Sequence, residues 1–442
     1  MLPASISIMM ALSLRTSLQR AALALGLFVG LAWNVNAAVS LGIDELEKSN
    51  FAVLQGKRVG LVTNPSGADS RGRSAVDVLY HGKGFHLVKL FGPEHGLYGV
   101  IGAGKQYGDT RDHRTGLPVY ALYNTPQGQD HRHPTREMFS GLDAIVYDVQ
   151  DLGNRSYTFI STLGYVMDEA AKDGIEVIVL DRPNPLGGIR IEGPRLDSSV
   201  TSFVGLYNIP YVYGLTPAEL ALWINAKYLD HPCHLTIVSM RGWTRSMVWE
   251  DTGLRWIATS PNVPTAAAMR AYTATGCLGE IGIESGCGGP HPFEVVLGRD
   301  WNASAVTSHF NALHIPGVRA HTWNSGNETG MFLNIDPHNS GNLTAINFQV
   351  LDILSDEVRH FSAFGDTRGD QQDMFDKVCG SRSYRHRMES GASGSSIVSS
   401  WNSGVVHWAV ERQPYLLYGN KVPKSEKKPS VVADTAESGP MP

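Results

Sequence analysis

The chain has 442 residues, 42% of them hydrophobic and 18% charged, with a formal net charge of −5 at neutral pH. That length can bury more than one core and is expected to give two domains. An acidic balance without any poly-basic tract excludes the electrostatic footprint of a nucleic-acid binder.

The first 37 residues read as a secretory signal. Arg15 and Arg20 supply positive charge, residues 21–33 an apolar run, and Val35-Asn36-Ala37 a small-residue cleavage site. The run is shorter than the ~20 residues a spanning helix needs. Cleavage after Ala37 is therefore expected to release a periplasmic or secreted protein with no stable membrane insertion; an uncleaved anchor is the alternative. In that compartment the four cysteines, Cys233, Cys277, Cys287 and Cys379, are free to pair. Cys277 and Cys287 flank a glycine-rich loop and are the best pair by position, with buried free thiols as the other reading. None has CxxC spacing, and the sixteen histidines form no HExxH, so no metal site is expected.

Short runs rich in Val, Ile and Leu at 58–63, 86–91, 144–148, 176–180 and 235–239 predict strands of a parallel sheet covered on both faces. Helical patterns fall between them, at 160–172 and after Thr216-Pro217-Ala218-Glu219, where a threonine N-cap, a first-turn proline and a glutamate three residues on open a helix. This alternation predicts a Rossmann-like, doubly wound, mostly parallel α/β domain over residues 42–260. A second, smaller α+β domain is expected over 261–419, with strands at 293–297 and 331–335 and helices at 305–313 and 342–361; segments 401–409 and 414–418 complete it. Residues 420–442, rich in Lys, Ser and Pro, are expected to be a disordered tail.

Four predicted strands end in polar clusters: Asn64-Pro65-Ser66-Gly67, Gly92-Pro93-Glu94-His95-Gly96, Asp148 to Arg155, and Asp181-Arg182-Pro183-Asn184-Pro185. In a parallel sheet these share one edge, where α/β proteins bind ligands. No GxGxxG follows the first strand and no Walker sequence occurs, so no dinucleotide or other cofactor is expected. No GxSxG elbow occurs either, which leaves an acyl hydrolase using Ser66 as a weak second reading.

The edge is rich in carboxylates: Glu94, Asp148, Asp151 and Asp181, with Glu284 and Glu294 from the second domain. Glycoside hydrolysis needs one carboxylic acid to protonate the leaving oxygen and usually a second carboxylate to activate water or attack. A glutamate shielded in a Gly-Pro turn near Tyr98 suits the acid role, since shielding favours the protonated form. Asp148 and Asp181 end buried strands and can equally serve the loops. Arg155 and Arg182 could clamp an anion bidentately or pair with Asp148, Asp151 or Asp181. Asn184 is presented rigidly between prolines, and Tyr157 could stack on a sugar. The glycine-rich segment 283–294, carrying Glu284, His291 and Glu294, could close a cleft between domains or be a plain connecting hairpin.

Taken together, several of these segments resemble the NamZ-like exo-β-N-acetylmuramidases, a family long catalogued as a domain of unknown function. The resemblance is carried by residues 56–67, 91–99, 147–153 with Arg155-Ser156-Tyr157-Thr158, 180–185 with Gly187-Gly188, 203–207, 214–216, 260–265, Pro292-Phe293-Glu294, 375–380 and 415–418. It implies hydrolysis of N-acetylmuramic acid (MurNAc) from the non-reducing ends of peptidoglycan fragments such as MurNAc-GlcNAc. It also implies a site between a Rossmann-like and an auxiliary domain and Glu94 as the catalytic acid; Glu284, one position away from where the family carries its loop glutamate, is the weaker candidate for a second catalytic carboxylate. Asn64, His95, Asp148, Asp151, Arg155, Tyr157, Arg182, Asn184, His291 and Glu294 become substrate-binding candidates, with the lactyl carboxylate as the anion for an arginine. One departure stands out. Where Ser-Glu-Gly-Arg-Gly-Thr is expected, the chain reads Glu284-Ser285-Gly286-Cys287-Gly288-Gly289, and His291 replaces an arginine. A non-catalytic muropeptide-binding protein is the alternative that this departure raises.

Overall fold

The computed structural model describes residues 39–365 and 367–419; the expected signal segment and tail lie outside them. The larger sheet has seven strands: β1 (Arg58–Thr63), β2 (His86–Gly92), β3 (Thr110–Arg111), β4 (Pro118–Ala121), β5 (Ala144–Asp148), β6 (Glu176–Leu180) and β7 (Leu235–Val238). Their order is β3-β4-β2-β1-β5-β6-β7, with every neighbouring pair parallel except β3 and β4. The chain winds outward from β1 through β2 to β4, then restarts at β5 on the other side of β1 and winds through β6 to β7. The sheet is therefore doubly wound, with its switch point between β1 and β5.

The strands are apolar throughout because both faces are covered. Val59, Leu61, Leu90, Val146, Ile178 and Val238 belong to one buried cluster, while Val62, Phe91, Ile145, Tyr147, Val177 and Ile237 belong to the other. Helices Gly42–Lys48 and Ala75–Tyr80 contribute to the first cluster, Phe159–Asp173 and Pro217–Lys227 to the second. The Thr216 capping box forms as the sequence predicts, the hydroxyl accepting from the Glu219 amide and the Glu219 carboxylate from the Thr216 amide. The sequence reading passed over β3 and β4, which are short; β4 opens on a proline, a residue that strands tolerate only at an edge or a first position.

The smaller sheet is antiparallel, in the order β8-β10-β9, from β8 (Val295–Arg299), β9 (Val318–Ser325) and β10 (Glu328–Ile335). Helices Ala303–Ala312 and Ala266–Thr275 pack on it, and Leu343–Glu357 packs on both of those helices. The second helix stops at Glu357 rather than running on to 361. Residues of the two sheets share one apolar cluster that includes Tyr211, Ile283, Met331, Phe348 and Phe375. Among the described residues no helix is long and apolar enough to cross a membrane.

Candidate active site

The C-terminal edge of the larger sheet carries the predicted polar loops. Glu94 follows β2 and is 8% exposed. Two donors fix its carboxylate: Thr158 Oγ1 donates to Oε2 at 2.6 Å, and the Gly104 amide donates to Oε1 at 3.0 Å. Thr158 stands at the mouth of the Phe159–Asp173 helix after β5, so this bond spans the switch point from β2 to β5. The tight turn is built by His95 and Gly96, both at positive φ, +72° and +75°. His95 Nδ1 lies 2.8 Å from the Ile101 carbonyl. A carbonyl only accepts, so Nδ1 carries the proton, and in the neutral ring Nε2 is the acceptor.

Two tyrosines absent from the sequence reading flank Glu94. Tyr107 donates to the Pro93 carbonyl at 2.6 Å and also to that of Gly92. Burial, together with the Glu94 charge, holds the Tyr107 and Tyr123 phenols above their ordinary range, so both stay protonated donors. Tyr98, the expected neighbour, instead points away and donates to Asp112 at 2.7 Å.

On the β5 side, Tyr157 donates to Thr259 Oγ1 at 2.8 Å, and Asn64 reaches the Thr259 carbonyl at 3.5 Å. Ser156 and Tyr272 share a hydrogen bond at 2.8 Å. Ser66 donates to Asn64 Oδ1 at 2.5 Å and accepts from the Gln150 amide, which leaves its hydroxyl without a base. Gln150 Oε1, Asp151 Oδ1 and Asn154 Nδ2 are buried without a partner among the described residues. That is hydrogen-bonding capacity a polar ligand or water can take up.

The remaining candidates bond chiefly to loops of the chain itself. Arg182 pairs bidentately with Asp148, Nε to Oδ1 at 2.6 Å and Nη2 to Oδ2 at 2.8 Å, and both are buried. Arg155 is fully buried and donates to the carbonyls of Pro194, Ile209 and Val378. Both guanidinium groups bond to loops of the chain itself. Asn184 bonds the Leu215 carbonyl and the Leu186 amide. Asp151 accepts from Tyr213 and from the Gly153 amide, and burial pushes its carboxyl up to about 6. Asp181 receives the hydroxyls of Thr216 and Tyr418, and burial pushes it up to about 7.

The glycine-rich loop is tied to the same region. The Gly288 amide donates to Asn262 Oδ1 at 3.0 Å, and Phe293 stands edge-on to Tyr272 at 5.0 Å. Glu284 pairs in backbone register with Leu297, and its carboxylate accepts from the Gly286 amide. His291 Nδ1 lies 3.5 Å from Glu294 Oε2. Glu280, which the sequence reading missed, is a carboxyl that burial alone pushes up to about 7. The Cys277–Cys287 pair is not formed. Cys287 is exposed beside Ser285, and Cys277 is buried close to Cys379. A surface depression of about 370 Å³ lies elsewhere, lined by Gly187, Arg190, Arg245, His338 and Asn339, and none of the Glu94 group borders it.

Residues 59–267 match the family described as exo-beta-N-acetylmuramidase NamZ, N-terminal, and residues 270–418 match its C-terminal counterpart. The chain is 36% identical over 389 residues to the peptidoglycan beta-N-acetylmuramidase NamZ of Bacillus subtilis, covering 86% of this chain and 91% of that protein. A crystal structure of a DUF1343 family protein from Bacteroides fragilis superposes with a TM-score of 0.80 at 38% identity, covering 86% of this chain and 99% of the other. A second from the same organism, at 24% identity and a TM-score of 0.66 over 87% and 100% of the two chains, shares the fold.

Proposed function

Because this chain belongs to the exo-β-N-acetylmuramidase NamZ family, we propose that it hydrolyses β-linked MurNAc from the non-reducing ends of peptidoglycan fragments during cell-wall turnover. Residues 42–260 form the catalytic part and 261–419 an auxiliary part, and residues 1–37 direct export. Glu94 is the catalytic acid. The observation that carries this assignment is its place after β2, tied across the switch point to Thr158, with both carboxylate oxygens held by Thr158 and Gly104 and two protonated tyrosines close by.

A carboxyl group positioned by two fixed donors meets the leaving oxygen in one orientation, which is the condition for efficient proton transfer. Glu284, one position from the glutamate of the related loop, is the candidate for the second carboxylate and is carried on the loop that Asn262 ties down. His95, Asn64 and Tyr157 shape the pocket beside Glu94. Asp148, Asp151, Arg155, Arg182 and Asn184 position its loops, and His291 and Glu294 serve the far side.

The test is incubation of the protein from Ala38 onward with MurNAc-GlcNAc, with products read by mass spectrometry. Release of free MurNAc supports the reading. Binding without release replaces it with a muropeptide-binding protein, for which Cys287 in place of an arginine is the first residue to revert. A second expectation concerns Thr158→Val, which keeps the shape and removes the hydroxyl. Losing one hydrogen bond to a charged group costs about 1.5–3 kcal/mol, so kcat should fall by about 10- to 100-fold at most, with Tm lower by no more than several degrees. An unaltered kcat would remove Thr158 from the machinery.

A further inference from the structure

The smaller sheet has an outward face that its core does not explain. In β10, Phe332 stands opposite Val295 on one side and His321 on the other; Gly330 stands opposite Leu297 and Trp323. Residues directly opposite each other share a face of a sheet, so Phe332, His321 and Trp323 lie together; Val295 and Leu297 share that face but are buried at its β8 edge, where Gly286 lies against Val295. The other face, with Val296, Met331 and Leu333, is buried in the core with Val306, Phe310 and Ile346 of the flanking helices.

An antiparallel sheet with one face on a core normally turns polar side chains outward. Here the outward face gathers rings. His291 reaches in from the glycine-rich loop to 5.2 Å from both Trp323 and Phe332. His321 stacks on Phe332 at 4.9 Å, and Trp323 lies 5.3 Å from Phe332. His321 is exposed and the other three are half-buried. Polar groups rim the rings: Asn334 Nδ2 lies 3.0 Å from His321 Nδ1, and the Glu294 carboxylate stands beside His291. Flat apolar rings edged by amide, imidazole and carboxylate match a pyranose, which has apolar C–H faces and a hydroxyl rim.

A chain of ring contacts links the patch to the Glu94 site. Phe293, two residues after His291, abuts Tyr272, and Tyr272 lies 6.0 Å from Tyr157, which precedes the threonine that holds Glu94. We propose that this outward face binds the part of a β-linked, N-acetylated glycan strand that remains after the terminal sugar is cleaved. The inference rests on the function proposed above and extends it from the terminal sugar to the chain behind it. Binding energy from this remote stretch would favour long strands over the disaccharide.

The test compares wild type with Trp323→Ala and His321→Ala on MurNAc-GlcNAc and on a MurNAc-terminated hexasaccharide. Trp323 is half-exposed on an edge strand, and an unchanged Tm certifies the fold; His321, being exposed, gives a second variant. The expected result for Trp323→Ala is a fall in kcat/KM of about tenfold on the hexasaccharide, the upper end of what one aromatic contact gives, and none on the disaccharide. Equal effects on both substrates, or none on either, overturn the proposal. So does light scattering that shows a dimer dispersed by Trp323→Ala, which makes the face an interface between copies. Cosedimentation of Glu94→Gln protein with insoluble peptidoglycan, with and without Trp323→Ala, reads the platform without turnover. A platform that binds while wild type releases no MurNAc would sink the function proposed above and leave this one standing.

Discussion

Glu94→Gln is expected to lower MurNAc release by about 10³-fold, within the 10²–10⁴ range that general acid catalysis contributes, while ligand affinity stays within a few-fold. The amide keeps the size of the carboxyl group. It can still accept from Thr158 or from Gly104, so the turn held by His95 and Gly96 should persist. What it lacks is the proton to deliver to the leaving oxygen. An aryl MurNAc glycoside sharpens the measurement, because a good leaving group needs little protonation. The variant should recover most of its rate on that substrate if Glu94 is the acid. If Glu94 instead attacks the anomeric carbon, both substrates should be equally dead. Glu284→Gln in parallel separates the two carboxylates: a partner that activates water should depress both substrates alike.

The larger sheet was legible in the sequence because its strands are buried on both faces. Val59-Gly60-Leu61-Val62 and Glu176-Val177-Ile178-Val179-Leu180 need no polar side, so each reads as an uninterrupted apolar run. The same logic exposed the edge loops and, within them, Glu94. Thr158, Tyr107 and Tyr123 were hidden for a physical reason. Thr158 and Tyr123 reach Glu94 itself and Tyr107 the carbonyls just before it, each from another segment, and neither a single hydroxyl nor a phenol there has a periodic signature. β9 escaped notice because its outward face carries His321 and Trp323 rather than a simple apolar alternation. The arginines illustrate the opposite limit. A residue type suited to clamping an anion is equally suited to clamping carbonyls and carboxylates of its own loops, and only packing tells the two apart. Arg155 donates to three carbonyls and Arg182 to a carboxylate and a carbonyl of their own loops, while Arg155 Nε and Arg182 Nη1 make no bond among the described residues.

Arg182→Met is the substitution expected to cost the most stability, about 3–5 kcal/mol, the range for removing one member of a buried ion pair. Arg182 also donates to the Ala68 carbonyl at 2.9 Å, so it links the loops after β1, β5 and β6 in one contact. Burial already pushes the Asp148 carboxyl upward against the pull of the guanidinium. Without Arg182 that carboxylate would have to protonate or stay charged in a dry interior. The sign of the pH dependence follows. A carboxyl with a raised folded-state pKa favours the fold below its unfolded value near 3.8, and that stability is lost as pH rises through the folded value. The variant should therefore recover part of its deficit toward acidic pH in urea unfolding, and a deficit independent of pH would contradict an unpaired Asp148. Asp148→Leu combined with Arg182→Met removes both charges and should unfold less readily than Arg182→Met alone. The same pair of variants decides whether Arg182 also holds the substrate. An arginine that grips the lactyl carboxylate would, when lost, erase any preference for MurNAc over GlcNAc at the chain end; one that only braces the loops would weaken both sugars together.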